Sequence, residues 1–215
     1  MTSERYRRIM QILAQRQPDL TILAEDVYKP HNLSAMLRSC DAVGIGLVHA
    51  IDPTGGVPTF NETSAGADRW VEVRVHADFA EASAQVRDQG MQLLAAHFSD
   101  RAVDYRDVDY TRPTAVLFGN EKRGVSHQAA ARVDGHVIIP MLGMVRSLNV
   151  SVATAVILFE AQRQRREAGM FERPRLSPEQ INAQAFRWLF PREAAVREAR
   201  GEPFPGVLED GTYEG

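Results

Sequence analysis

Residues 114–126 read TAVLFGNEKRGVS: a short, mostly apolar run that passes directly into two glycines bracketing Asn120, Glu121, Lys122 and Arg123. An apolar run without polar alternation suits a strand buried on both faces, as in parallel sheets. A polar, glycine-flanked loop just after it then marks the carboxyl end of that strand, where open α/β sheets gather ligands. Met91 to Ala96 and His136 to Ile139 are runs of the same kind. Working outward, Thr21 to Ala24, Gly46 to Ile51 and the alternating Val71 to Val75 also read as strands. Asn32 to Ala42 reads as a helix closed by Gly44, Ala77 to Gln89 as a helix stopped by Gly90, and about Leu148 to Ala168 as a long helix. Asp52 to Phe60 holds two prolines and two glycines and reads as a loop, with a short helix after it. Strands alternating with helices over 21–168 predict an α/β fold: an open, mostly parallel sheet with helices on both faces. Chemistry is expected in the loops after Ala96, Phe118 and Ile139.

The chain of 215 residues accommodates one such core with terminal extensions. Its 44% hydrophobic and 25% charged residues are ordinary for a globular protein. No apolar run approaches the ~20 residues of a membrane span, and the polar, basic start is neither a secretory signal nor an anchor, so a cytoplasmic address is expected. The single cysteine, Cys40, excludes an intrachain disulfide, and no Cys or His spacing suits zinc, so no structural metal is expected. Tyr6, Ile9, Met10, Leu13 and Ala14 recur at helical spacing and predict an amphipathic helix ending before Pro18. Beyond Arg173, five prolines at 174, 178, 191, 203 and 205 and the acidic Glu209 and Asp210 predict a peripheral helical segment and a loose tail. The expected division is therefore 1–18, 19–168 and 169–215. With a net charge of −3 and a pI near 6.1, a nucleic-acid site would have to be a local patch. Such patches stand at Arg5, Arg7, Arg8 and Arg16 and again at Arg163, Arg165, Arg166, Arg173 and Arg175; solvated helix faces are the plainer reading.

Familiar nucleotide fingerprints are missing. Gly44-Ile-Gly46 lacks a third glycine and precedes a strand, and there is no phosphate-cradling loop ending in Gly-Lys-Ser/Thr. Three polar clusters remain. In His31-Asn32-Leu-Ser34-Ala-Met-Leu-Arg38, Asn32 is a natural N-cap, and Arg38 is either half of an ion pair or a functional group. In the loop at 119–126, Glu121 could accept from an arginine, hydroxyl or amine, or be a plain exposed carboxylate; His127 reads as a surface residue. In Ile138-Ile-Pro-Met-Leu-Gly-Met-Val-Arg-Ser147-Leu-Asn149-Val-Ser151, an apolar loop enters a helix whose first turn is expected to carry Ser147 and Asn149. Apolar walls with exposed backbone amides suit an uncharged adenine ring; a hydrophobic loop capped by Ser147 is the alternative.

In order and spacing, Asn32-x5-Arg38, Phe-Gly-Asn-Glu121-Lys-x-Gly and Ile-Pro-Met-x-Gly-x-x-x-Ser147-Leu-Asn149 resemble the SpoU family of RNA ribose 2′-O-methyltransferases. The opening Arg5-Tyr-Arg-Arg-Ile, Arg16-Gln-Pro-Asp-Leu, Lys29-Pro-His-Asn and the later Glu160-Ala-Gln-Arg-Gln-Arg further resemble the branch acting on guanosine 18 of the tRNA D-loop. The resemblance covers about 5–170. It implies a deep trefoil knot at about 115–160, S-adenosyl-L-methionine (AdoMet) as methyl donor without a metal, tRNA as substrate, and a homodimer whose site draws on both subunits. It also implies a catalytic set of Asn32, Arg38, Glu121, Ser147 and Asn149, and a cofactor pocket lined by Ala96, Gly119, Ile139, Met144 and Leu148. Because a guanidinium stays protonated above pH ~12, Arg38 is expected to bind a phosphate and orient the hydroxyl rather than serve as a base. Arg5, Arg8, Arg16, Arg163 and Arg166 would then neutralise tRNA phosphates. The same resemblance leaves room for another tRNA or rRNA nucleotide as target, or for a knotted RNA-binding protein without catalysis.

Overall fold

A computed structural model describes residues 3–27, 29–52 and 69–213. Except for Asp52, the loop expected at 52–60 and the short helix after it lie outside the described residues. The chain forms two compact units, Pro18–Gly169 and Met1–Gln17 with Met170–Gly215.

The larger unit is built on a seven-stranded parallel sheet in the order β3-β2-β1-β6-β4-β7-β5. Its strands are β1 (Leu20–Glu25), β2 (Leu47–Ile51), β3 (Glu72–His76), β4 (Gln92–Ala96), β5 (Ala102–Asp104), β6 (Thr114–Phe118) and β7 (Gly135–Ile138). β1 and β6 are buried along their whole length, as their mostly apolar runs suggest, with Thr21, Glu25 and Thr114 buried among them, whereas the edge strands β3 and β5 are partly exposed. Alternation along each strand divides the core in two. Leu20, Ile22, Val116 and Phe118 pack on one face with Leu33, Met36 and Leu37 of α2 (Pro30–Ala42) and Ile157, Leu158 and Ala161 of α5 (Val150–Glu167). Leu23, Ala115, Leu117, Leu93 and Ala95 pack on the other with Phe79, Ala82 and Val86 of α3 (Phe79–Asp88) and Ala129 and Ala130 of α4 (His127–Ala130). Helices thus cover both faces, as expected. β5 and α4, of three and four residues, are too short to leave a periodic signal and were not anticipated.

Two helix starts differ from expectation. α2 begins at Pro30, where the missing N–H is no loss, with Lys29 at the N-cap; Asn32 is therefore inside the first turn and not its cap. α5 begins at Val150, because the Asn149 side chain accepts from the Ser151 N–H and sets the boundary there; Ser147 lies before the helix, not in its first turn. Arg165, one of the expected surface arginines, is instead fully buried. Its guanidinium donates to the Asp19 carboxylate at 2.6 Å and to the carbonyls of Tyr110, Asp19 and Arg112, so the charge is paired and its donors are satisfied.

In the smaller unit, α1 (Ser3–Ala14) buries Ile9 and Leu13, and α6 (Pro178–Leu189) opens with a reciprocal capping box between Ser177 and Gln180. Gly201, at φ 66°, ends α7 (Pro191–Arg200) in the left-handed conformation that glycine adopts without strain. The expected loose tail is corrected: Phe204 stacks on Phe186 at 5.0 Å and Tyr213 meets Phe190 at 4.7 Å. Asn182 fixes the same segment by donating to the Pro205 carbonyl and accepting from the Val207 N–H. The aromatic residues spaced among the prolines give this segment a core of its own. Among the described residues no helix is long and apolar enough to cross a membrane.

Candidate functional site

β6, β4 and β7 are neighbours, so the loops leaving Phe118, Ala96 and Ile138 emerge side by side. The loop after β6 is the most constrained. A Cβ on Gly119 would stand 2.2 Å from the backbone of Gly124 and Val125, so only glycine fits this close approach. Asn120 Oδ1 accepts from the N–H groups of Lys122 and Arg123 at 2.8 and 3.2 Å, while its Nδ2 donates to the Asp26 carbonyl at 2.9 Å. Ser126 caps α4, and its own N–H and Oγ–H donate to the Glu25 carboxylate at 2.8 and 2.6 Å. Glu121 is held out between these two anchors.

Glu121 accepts from Asn32 Nδ2 at 2.5 Å, and Asn32 Oδ1 accepts from Asn149 Nδ2 at 3.1 Å. Asn149 Oδ1 in turn takes the Ser151 N–H and Oγ–H at 2.8 and 2.6 Å. The three polar clusters of the sequence therefore meet in one directed chain, Asn149 to Asn32 to Glu121. Every amide in it is oriented by its partners, since only a carboxamide N–H can face a carboxylate. Asn32 is 1% exposed, so leaving its amide unpaired would cost about 1–3 kcal/mol.

Arg38 and Ser147 are exposed, and among the described residues neither makes a hydrogen bond or ion pair. Six residues place Arg38 about 240° around α2 from Asn32, so one helix cannot aim both at one point. Among the described residues, the ion pair considered for Arg38 has no partner.

Of the expected cofactor-lining residues, Gly119 is buried at the mouth of β6, Ala96 and Ile139 pack against the main core cluster, and Leu148 is half-buried beside the start of α5. The Met144 side chain is wholly exposed, with Leu142 and Val145 beside it in the chain, and among the described residues no apolar group covers that part of the loop. The loop after β4 is fixed by Ser99 Oγ, 2.6 Å from His136 Nδ1, and by Arg101 donating to the Ala130 carbonyl at 2.9 Å. Burial, followed by the charges of His136, His127 and Arg101, holds the His97 imidazole below its usual range. Among the described residues no cluster of three or more His, Cys, Asp or Glu is placed to hold a metal ion.

The expected phosphate contacts separate into distinct groups. Arg5 and Arg8 lie on exposed positions of α1, and Arg166 is exposed near the end of α5. Arg16 is corrected: it is 3% exposed, with its guanidinium 5.3 Å over the Trp188 ring, a packing role. Arg163 is exposed but already neutralised, donating to Glu160 and Glu167 at 2.6 to 2.9 Å along its own helix. Glu25 went unnoticed in the sequence. Its signal was an acid directly after the apolar run of a strand, at the end where ligands collect.

The SpoU rRNA methylase family model matches residues 19–159, and the SpoU rRNA methylase C-terminal model matches 163–214. A tRNA (guanosine(18)-2′-O)-methyltransferase of Thermus thermophilus is 60% identical over 188 residues, covering 87% of this chain and 97% of the relative. The A. aeolicus TrmH/SpoU tRNA modifying enzyme superposes with a TM-score of 0.81 at 40% identity, covering 86% of this chain and 94% of that one. The SpoU methyltransferase AviRb of Streptomyces viridochromogenes, solved in complex with the cofactor AdoMet, gives a TM-score of 0.62 at 26% identity over 70% of this chain and 62% of that one.

Proposed function

We propose that this chain, which belongs to the SpoU methylase family, transfers a methyl group from AdoMet to the ribose 2′-hydroxyl of guanosine 18 in the tRNA D-loop. The observation that carries the reading is the hydrogen-bonded chain Asn149–Asn32–Glu121, which joins three separate motifs at the carboxyl edge of the sheet. The 60% identical relative, named for that nucleotide, points to the same target. From the family we also carry over a deep trefoil knot at about 115–160, and a cytoplasmic site of action.

The residues present fit the methyl donor: adjacent strand ends bring Ala96, Gly119 and Ile139 together, and Leu148 adds an apolar wall suited to an adenine ring. When bound, the donor's sulfonium supplies an activated methyl group. The chain's own task is then to place the ribose oxygen in line with it and to take up the hydroxyl proton. Glu121, whose carboxylate is oriented by Asn32, is placed to accept a hydrogen bond from the ribose. Arg38 grips a neighbouring phosphate and Ser147 adds a hydroxyl contact. Neither hydrogen-bonds to the Asn149–Asn32–Glu121 chain in this copy, which is expected if a second copy completes the site. Such a homodimer would also cover the exposed Leu142, Met144 and Val145 and the α5 side chains Val152 and Phe159. The exposed Arg5, Arg8, Arg163 and Arg166 neutralise tRNA phosphates, Arg163 by exchanging its two glutamates for them.

The test is incubation with methyl-labelled AdoMet and an unmodified tRNA transcript, the product mapped by resistance to alkaline hydrolysis. Label at guanosine 18, lost in Arg38→Ala, is the expected result. Label at another ribose reassigns the substrate, and no label on tRNA or rRNA overturns the reading.

A further inference from the structure

We propose that Glu25, through Ser126, is a positioning residue for Glu121; the inference rests on the catalytic reading above. β1 and β6 are parallel neighbours with Ala24 opposite Phe118, so their ends are level. The residues just beyond this level grip the β6 loop at both ends. Asp26 offers its carbonyl to Asn120 Nδ2 at 2.9 Å, and its carboxylate lies 3.3 Å from Arg123. Asp26 does so at φ 54°, the sole positive φ of a non-glycine among the described residues, a conformation sustained only where surrounding contacts hold it. Glu25 takes the far end, accepting both the N–H and the Oγ–H of Ser126. Glu121 lies between the two grips.

Two features separate this from ordinary packing. Glu25 is 7% exposed, and among the described residues no cationic side chain pairs with it, so its carboxylate is held by hydrogen bonds alone. Bonds to an ionised acceptor are short and directional, which suits a clamp that must fix a position. The bond that the clamp serves, Asn32 to Glu121, is shorter still at 2.5 Å and crosses to another element, so a small shift of the loop would break it. Catalytic constellations lose about 100-fold for displacements near 1 Å.

Glu25→Gln keeps the shape but turns an N–H towards Ser126: the backbone N–H cannot reverse its role, and a hydroxyl that turns to accept gives up its O–H bond to the carboxylate, so the clamp is weakened and the loop is free to shift. Single-turnover methyl transfer should fall 10- to 100-fold, with the tRNA KM changed less than threefold and with partial recovery in Glu25→Asp. The deciding measurement is a double-mutant cycle: in a Glu121→Ala background, Glu25→Gln should change the rate less than twofold. An equal effect in both backgrounds, or no effect in a folded Glu25→Gln protein, would overturn the proposal. Ser126→Ala, which removes one of the two bonds, enters the same cycle should Glu25→Gln not fold. An independent readout is the Asn32 side-chain amide resonance, which should move in both variants, and its constancy would overturn the positioning role. An inactive wild-type protein would instead sink the catalytic reading, and the resonance would still decide whether Glu25 sets the Asn32–Glu121 bond.

Discussion

Replacing Asn32 by Asp probes the Asn149–Asn32–Glu121 chain most directly, because it exchanges the donor facing Glu121 for a second carboxylate without changing volume. The new carboxylate would still accept from Asn149 Nδ2, but it would stand against Glu121 at the present 2.5 Å contact, and two like charges there cannot both persist. One proton must be taken up. Measured from an ordinary Asp pKa, that costs about 5.5 kcal/mol at pH 8 and about 3 kcal/mol at pH 6. These are upper limits, since Glu121 is only half-buried and can lean towards water. The sign is clear: the native variant binds the extra proton and the unfolded chain does not, so its stability relative to wild type improves as pH falls. Once protonated, the introduced carboxyl donates its O–H to Glu121 and restores the direction of the chain. Relative to wild type at each pH, single-turnover methyl transfer by Asn32→Asp should be down about 100-fold at pH 8 and within about tenfold at pH 6. Urea midpoints should recover in parallel. Asn32→Ala, with no proton to gain, should be equally impaired at both pH values. Full activity of Asn32→Asp at pH 8, or a pH response shared by Asn32→Ala, would refute the directed chain.

Other predictions concern residues outside that chain. Gly119→Ala should lose about 3 kcal/mol in urea unfolding, because the added carbon meets the Gly124–Val125 peptide group at 2.2 to 2.3 Å and not a movable side chain. His49 and His76 are buried and stacked, with Nδ1 of the first 2.9 Å from Nε2 of the second. Burial, then His76 and Arg74, push the His49 pKa down to about 4, so stability should fall as pH drops below about 6.5, by roughly 1–2 kcal/mol between pH 7 and 5. That slope should flatten in His49→Gln, and an unchanged slope would clear the pair of any part in it. Arg8→Ala should weaken tRNA binding and reduce the salt dependence by about one counterion, read from affinities at several salt concentrations. Arg16→Ala should instead lower the urea midpoint, since its guanidinium covers Trp188, and an unaltered midpoint would return it to the surface set.

The central strands of the larger unit were legible because a sheet buried on both faces demands short, mostly apolar runs, and 20–24, 92–96 and 114–118 are too short for helices and rich in strand-forming or small apolar residues. The placing of chemistry at strand ends followed from that. What escaped was decided by single contacts. α5 starts at Val150 because one carboxamide, Asn149, reaches the Ser151 N–H; a periodic pattern locates such a boundary only to within a turn. The C-terminal segment looked loose because proline and acidic residues dominate it. Phe186, Phe190, Phe204 and Tyr213 are scattered over 28 positions, and only the fold brings their rings within 4.7 to 5.2 Å.

The arginines show why charge patterns mislead where apolar patterns do not. Burial of an apolar residue is announced by its neighbours in sequence, whereas burial of an arginine depends on partners elsewhere in the chain. Arg163, Arg165 and Arg166 are consecutive or nearly so, yet the first is neutralised by glutamates three and four residues away, the second is sealed among Asp19 and three carbonyls, and the third is exposed. The Asp19 that pairs with Arg165 is 146 positions away. A basic run therefore overstates the charge available to a polyanion. The acid at Glu25 misleads in the same way: a carboxylate met in a sequence is counted as surface, although here its two oxygens face inward and are both occupied by Ser126. Glu25, at the end of β1, is satisfied from the loop of the adjacent strand β6, so this carboxylate reports on the geometry of its neighbour more than on its own position.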